Sequence, residues 1–152
     1  MIQYKIATSE DIAELMAIRL EMLREVNDLP PDYAFSEDFC SYSRDYCLNG
    51  QHTTVLAVEE YGKAIGCATL CYMELMPTFS HPTGRRAHLM NVYTAPDYRG
   101  QGMARRMVEM LIEEARRRGV TEISLDATAS GRPLYRKLGF QDSEECMVLV
   151  LE

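Results

Sequence analysis

The chain has 152 residues, 47% hydrophobic and 26% charged, the balance of an ordinary soluble globular protein, and that length buries one core without staples. Its net charge of −7 argues against nucleic acid as a partner, because phosphate binding needs a concentrated basic face. No apolar run approaches the roughly 20 residues of a membrane helix, and Met1-Ile2-Gln3-Tyr4 opens no signal peptide, so the expected location is the cytoplasm with no membrane partner.

Ile2, Tyr4 and Ile6 alternate with polar residues and predict a first strand. Thr8-Ser9-Glu10-Asp11 fits a capping box, after which Ile12, Leu15, Met16, Leu20, Met22, Leu23 and Val26 recur at helical spacing to about Asn27, where Pro30-Pro31 follows. A second helix is expected over 36–48, stopped by Asn49-Gly50. Its Phe39, Tyr42 and Tyr46, with Phe35 before it, read either as core contacts or as the wall of a substrate pocket. The β-rich runs 53–59 and 63–72 meet at Glu60-Tyr61-Gly62 as a hairpin. Residues 76–86, with Pro77, Pro82 and Gly84, form a long loop that suits either a flap or the contact of a homodimer.

The run 87–94 stays apolar or small on both faces around Asn91 and is expected to be a central strand. A helix over 103–118 carries Met103, Met107, Met110, Leu111 and Ala115 as one stripe, with Glu113–Arg117 and Glu114–Arg118 at favourable spacing and Gly119 as its stop. A strand over 121–127, a short helix over 132–138 and a closing strand over 146–151 complete the order. No linker or repeat interrupts it. The expectation is one domain over 1–152, mixed α/β of the α+β kind, with a largely antiparallel sheet flanked by helices.

Cys40, Cys47, Cys67, Cys71 and Cys146 are scattered, as are His52, His81 and His88; no zinc-type spacing occurs, and no metal is expected. Arginines cluster around the helix at 103–118, whereas the first third is acidic. That asymmetry suits an anionic cofactor with a cationic amine, and a solvated acidic surface explains it equally.

The stretch that organises the chain is Tyr98-Arg99-Gly100-Gln101-Gly102-Met103-Ala104, where a strand gives way to the long helix. Two glycines permit a tight turn with uncovered amides, at the point where the first helical N–H groups lack internal partners, so the turn favours an anion. A dinucleotide fingerprint is not satisfied, since Arg105 stands where a third small residue belongs and Pro96-Asp97 separate strand from turn. A Walker loop needs Gly-Lys-Ser/Thr, which is absent.

The run Arg99-Gly100-Gln101-Gly102-Met103-Ala104 resembles the Arg/Gln-x-x-Gly-x-Gly/Ala signature of the GCN5-related N-acetyltransferases, and Tyr135-Arg136-Lys137-Leu138-Gly139-Phe140 is similar to that family's second hallmark, in the right order. The resemblance implies the acetyltransferase fold and transfer of an acetyl group from acetyl-CoA to a primary amine within a ternary complex. It places the cofactor's pyrophosphate on amides from Gly100, Gln101 and Gly102 through Met103, Ala104 and Arg105, begun by Arg99, with Val92, Tyr93 and Thr94 pairing with the pantetheine arm. It makes Tyr135 the proton donor to the departing thiolate. Glu74 is the expected base, with Glu59, Glu60 and His88 as alternatives. Many relatives carry Asn where this chain has Thr128; Ser130 can complete the bonding that Thr128 lacks. The acceptor, a small-molecule or peptide amine, stays open, and a non-catalytic acyl-CoA sensor of the same fold is the rival reading.

Overall fold

A computed structural model describes residues 1–151. Five strands form one sheet in chain order: β1 (Gln3–Ile6), β2 (His52–Val58), β3 (Ala64–Glu74), β4 (Arg85–Thr94) and β5 (Glu122–Leu125). Every neighbouring pair is antiparallel except β4 with β5, which are parallel and joined by the crossover helix α3 (Met103–Arg117). Helices α1 (Ile12–Val26) and α2 (Glu37–Asn49) follow β1, and α4 (Arg132–Lys137) follows β5.

Local chemistry sets most boundaries. Thr8 Oγ1 accepts from the Glu10 amide at 3.3 Å while the Asp11 carboxylate accepts from the Thr8 amide at 2.8 Å, so the approach to α1 is closed by the expected capping box. Ser36 Oγ accepts from the Phe39 amide at 3.1 Å and starts α2. At the end of α3, Gly119 adopts φ 75°, and the Val120 and Gly119 amides close back on Ala115 and Arg116, a Schellman stop that only glycine enters without strain.

Two apolar layers cover the sheet. On one face Met103, Met107, Val108, Leu111 and Ala115 of α3 pack on Val55, Ala57, Ala68, Leu70, Ala87 and Leu89. Burying each larger side chain contributes roughly 1.5–3 kcal/mol relative to exposure, which holds α3 against the sheet. On the other face Leu15, Ile18 and Met22 of α1 meet Leu56, Cys67 and Tyr93.

Three expectations change. β4 begins at Arg85 and β5 spans only Glu122–Leu125, because β5 stops where its pairing with β4 stops, at Leu89–Leu125. The loop after β3 lies at the end of the sheet where β5 begins: His81 Nδ1 stands 2.9 Å from Thr121 Oγ1. It is therefore no flap over the opposite, opened end. The closing strand over 146–151 does not form; residues 141–151 join no ladder, and Met147 and Leu149 are 95% and 83% exposed. Its apolar pattern fits a strand, but a strand exists only by pairing, and nothing among the described residues pairs with it.

Gly84 has φ 72°, and a Cβ at this position would stand only 2.0 Å from the Leu75 carbonyl oxygen, whereas Gly62, at φ 85°, faces open space. Gly62→Ala is expected to cost about 1–2 kcal/mol from the left-handed backbone alone. Gly84→Ala is expected to cost clearly more, because the backbone must also move. Urea titration of both variants checks this, and equal losses would count against the clash.

Candidate active site

Beyond Leu89, β4 continues through Met90, Asn91, Val92, Tyr93 and Thr94 with no partner on the β5 side, so the two parallel strands part. On its β3 side the register slips between Cys67–Tyr93 and Thr69–Met90, and Asn91 takes φ 60°. This is a bulge, and it bends β4 where the strands separate. Asn91 is fixed there: its Oδ1 accepts from Arg19 at 3.0 Å and its carbonyl accepts from the Cys67 thiol at 3.1 Å. Burial pushes that thiol up to about 12, which keeps it a neutral donor.

After β4, a short turn at Pro96–Tyr98 leads into the glycine turn. Gly100 and Gly102 have φ 77° and 79°, and a side chain added at either would meet nothing within 4 Å. The first helical backbone bond is from the Arg106 amide to the Gly102 carbonyl, at 3.0 Å. Among the described residues the amides from Gly100 to Arg105 have no protein acceptor, and no side chain caps α3. Unpaired N–H groups, the positive end of a helix dipole and open space thus coincide, which is what a phosphate group requires.

The arginines here do something different from direct anion binding. Arg99 Nε donates to the Thr94 carbonyl at 2.8 Å, its second nitrogen pairs with Glu25 at 2.5 Å, and its guanidinium lies 5.5 Å from the Tyr93 ring centroid. It laces the turn to β4 and α1. Tyr93 joins that link by donating to Glu21 at 3.0 Å. Arg105 pairs with Glu109 at 2.7 Å on the solvent side of α3.

Tyr135 lies on α4, half-buried, with its ring at 5.8 Å and 72° to Phe140. Its hydroxyl bonds to no other described residue, and burial raises its pKa above the ordinary tyrosine value. Thr128 Oγ1 accepts from the Gly131 amide at 3.2 Å and stands 3.3 Å from Ser130 Oγ. Thr128 therefore shapes the turn into α4, and its exposed side chain, like that of Ser130, acts through that turn.

The structure does not bring Glu74 to this place, which corrects the expectation that it lies near the cleft. It pairs with Arg85, five residues along β3 from Thr69, roughly 16 Å of strand away from the bulge. The reason is the length of β3, which runs past the bulge to the other end of the sheet. Glu59 accepts from the Tyr98 hydroxyl at 3.0 Å, and Glu60 lies in the exposed hairpin turn. His88 sits opposite Cys71, with Nδ1 2.7 Å from Ser124 Oγ and Nε2 3.5 Å from Asp126.

Beside the bulge, on the α1 and α2 side of the sheet, is a cavity of about 360 Å³ lined from below by His52, Thr54, Thr69, Cys71, Met90 and Asn91. Arg19, Tyr42, Ser43, Tyr46 and Cys47 close it from the helices. Tyr42 and Tyr46 line this cavity, while the rings of Phe35 and Phe39 meet at 5.4 Å, tilted by 33°, outside that lining. Sequence reasoning passed over Arg19, although a signal existed: it is a lone cation between Ile18 and Met22 on the apolar stripe of α1.

Comparison with known proteins agrees with this geometry. A predicted acetyltransferase from Clostridium acetobutylicum, solved with acetyl-CoA, superposes with TM-score 0.85 at 32% identity, covering 99% of this chain and 96% of that one. A glucosamine 6-phosphate N-acetyltransferase of Trypanosoma brucei brucei is 27% identical over 136 residues, 90% of this chain and 89% of that protein. The ribosomal protein bS18-alanine N-acetyltransferase of Escherichia coli is 40% identical over 60 residues, 38% of this chain and 40% of its own length. The model of the Acetyltransferase (GNAT) family matches residues 15–140, so the chain belongs to the GNAT acetyltransferases and is an acyltransferase.

Proposed function

We propose that this protein transfers the acetyl group of acetyl-CoA directly to a primary amine held in the cavity beside the bulge. The observation that carries the reading is the run of unpartnered amides from Gly100 to Arg105 under open space. Those amides hold the pyrophosphate, with Gly100, Gln101 and Gly102 leaving room and Met103, Ala104 and Arg105 supplying the helix start. The open edge of β4 from Val92 through Thr94 pairs with the pantetheine arm as a partial strand. When bound, acetyl-CoA supplies the acetyl group as a thioester, activated for attack by nitrogen. A main-chain amide near Val92 donates to the thioester oxygen as charge gathers there.

Tyr135 protonates the sulfur as the carbon–sulfur bond breaks. An ordinary tyrosine at about 10 is a weaker acid than a free thiol at about 8.5, which makes the transfer uphill in water. Burial raises Tyr135 further, but the same low-polarity surroundings raise the leaving thiol as well, so donation stays feasible where both are desolvated. The higher pKa also keeps Tyr135 protonated throughout the neutral and mildly alkaline range. Thr128 and Ser130 position it by fixing the turn into α4. Among the described residues no carboxylate lines the cavity, so the acceptor ammonium loses its proton to water or to a group outside that lining.

We also propose a cytoplasmic, homodimeric protein acting on a soluble amine. Five free cysteines support a reducing compartment. No helix among the described residues is long and apolar enough to cross a membrane. The exposed apolar run 147–151 and the open edge of strand β5 support association of two copies.

Gly102→Glu is expected to abolish coenzyme A binding, since it adds a side chain at positive φ and a negative charge where a diphosphate sits; calorimetric titration checks this, and unchanged affinity would remove the site. Tyr135→Phe is expected to lower kcat by about 10²–10⁴-fold with coenzyme A affinity unchanged, read from steady-state thiol release and the same titration. An unaltered kcat would take the donor role from Tyr135. Sedimentation should give a dimer for the full chain and a monomer for Val148→Glu; a monomer at every concentration would sink the association.

A further inference from the structure

The acceptor cavity, on the reading above, has one charged wall and it is positive. Among the described residues its lining holds no Asp or Glu. Burial pushes the Cys47 thiol and the Tyr46 phenol up, so neither contributes a negative charge at neutral pH. His52 Nε2 lies 2.9 Å from the Cys47 carbonyl, which can only accept, so Nε2 carries a proton. Its Nδ1 lies 3.0 Å from Thr54 Oγ1, so both ring nitrogens are engaged within the protein.

Arg19 is the exception. One of its terminal nitrogens donates to Asn91 Oδ1 at 3.0 Å, and its guanidinium stands 5.8 Å from the Phe39 ring centroid. It has no carboxylate partner among the described residues, whereas Arg86 and Arg99 each have one. A guanidinium carries five N–H donors in a fixed fork, and a single bond to Asn91 leaves donors directed at whatever enters. An ammonium-bearing acceptor is repelled by this wall unless it also brings an anion. The charge of the whole chain, −7, cannot help, because the nearest wall decides the field inside a half-enclosed space.

We propose that the acceptor is a primary amine that also bears a carboxylate or phosphate, and that Arg19 binds this anionic group and thereby turns the amine toward the bulge at Asn91. Arg19 is a specificity-determining residue, separate from the groups that hold the acyl donor. The inference rests on the transferase reading only for the identity of the cavity's occupant.

The test is equilibrium binding in the presence of coenzyme A, which needs no turnover, with two matched pairs: D-glucosamine 6-phosphate against D-glucosamine, and L-lysine against L-lysinamide. At least one member that bears the anionic group is expected to bind about tenfold or more tightly than its partner lacking that group, the usual worth of a charge-assisted contact. The pair that shows the preference tells phosphate from carboxylate. Arg19→Gln keeps a donor for Asn91 but removes the charge, and is expected to bring the ratio to near one while coenzyme A affinity is unchanged. No binding by any member, equally tight binding by the members that lack the anionic group in both pairs, or a ratio that survives Arg19→Gln would each overturn the proposal. Loss of coenzyme A binding in Gly102→Glu is measured separately, so a failure of the cofactor site and a failure of the anion site are told apart.

Discussion

The parting of two parallel strands is the constraint on which the site depends. β4 and β5 pair only from Arg86–Glu122 to Leu89–Leu125, and α3 must cross between the end of one and the start of the other. The crossover fixes the start of α3 near the free end of β4, so the exposed edge of β4 and the unpartnered amides belong to one continuous surface. An open strand edge suits any extended chain, and a helix start suits any anion; their adjacency suits a ligand with a diphosphate at one end and an amide-containing arm at the other, as the proposed function requires.

The bulge at Asn91 adds the second half. It twists β4 away from regular pairing beside the cavity on the face covered by α1 and α2, while α3 occupies the other face. The sheet thus separates the roles: one face builds the packed support, and the other carries a cavity roofed by α1 and α2. Arg19, Asn91 and Cys67 form a linked group at this crossing, with donors and acceptors matched, so the strained backbone at Asn91 is held from two sides.

Much of this was legible in the residues because it is written in local chemistry. Thr8 with Asp11, Ser36, Gly102 and Gly119 act on amides within a few positions, and their roles can be read from a short window. The match of Arg99 to Ala104 and of Tyr135 to Phe140 with known motifs gave the family. What the sequence did not disclose depends on contacts between distant segments. The left-handed backbone at Asn91 arises from a register slip against Cys67 and Thr69; the remoteness of Glu74 follows from how far β3 extends; the unpaired state of 146–151 reflects the lack of a neighbour rather than any weakness in its pattern. Arg99 begins the glycine-turn motif, but the partners that engage its guanidinium, Thr94 and Glu25, come from other segments.

That last link has a practical meaning for engineering. Glu25 and Glu21 lie on α1, the same helix that presents Arg19 to the cavity, and they are tied to Arg99 and Tyr93 beside the glycine turn. Exchanging α1 for that of a relative in order to alter acceptor choice is therefore not a modular graft: the transplanted helix has to reproduce both acidic anchors, or the turn loosens along with the pocket it was meant to reshape.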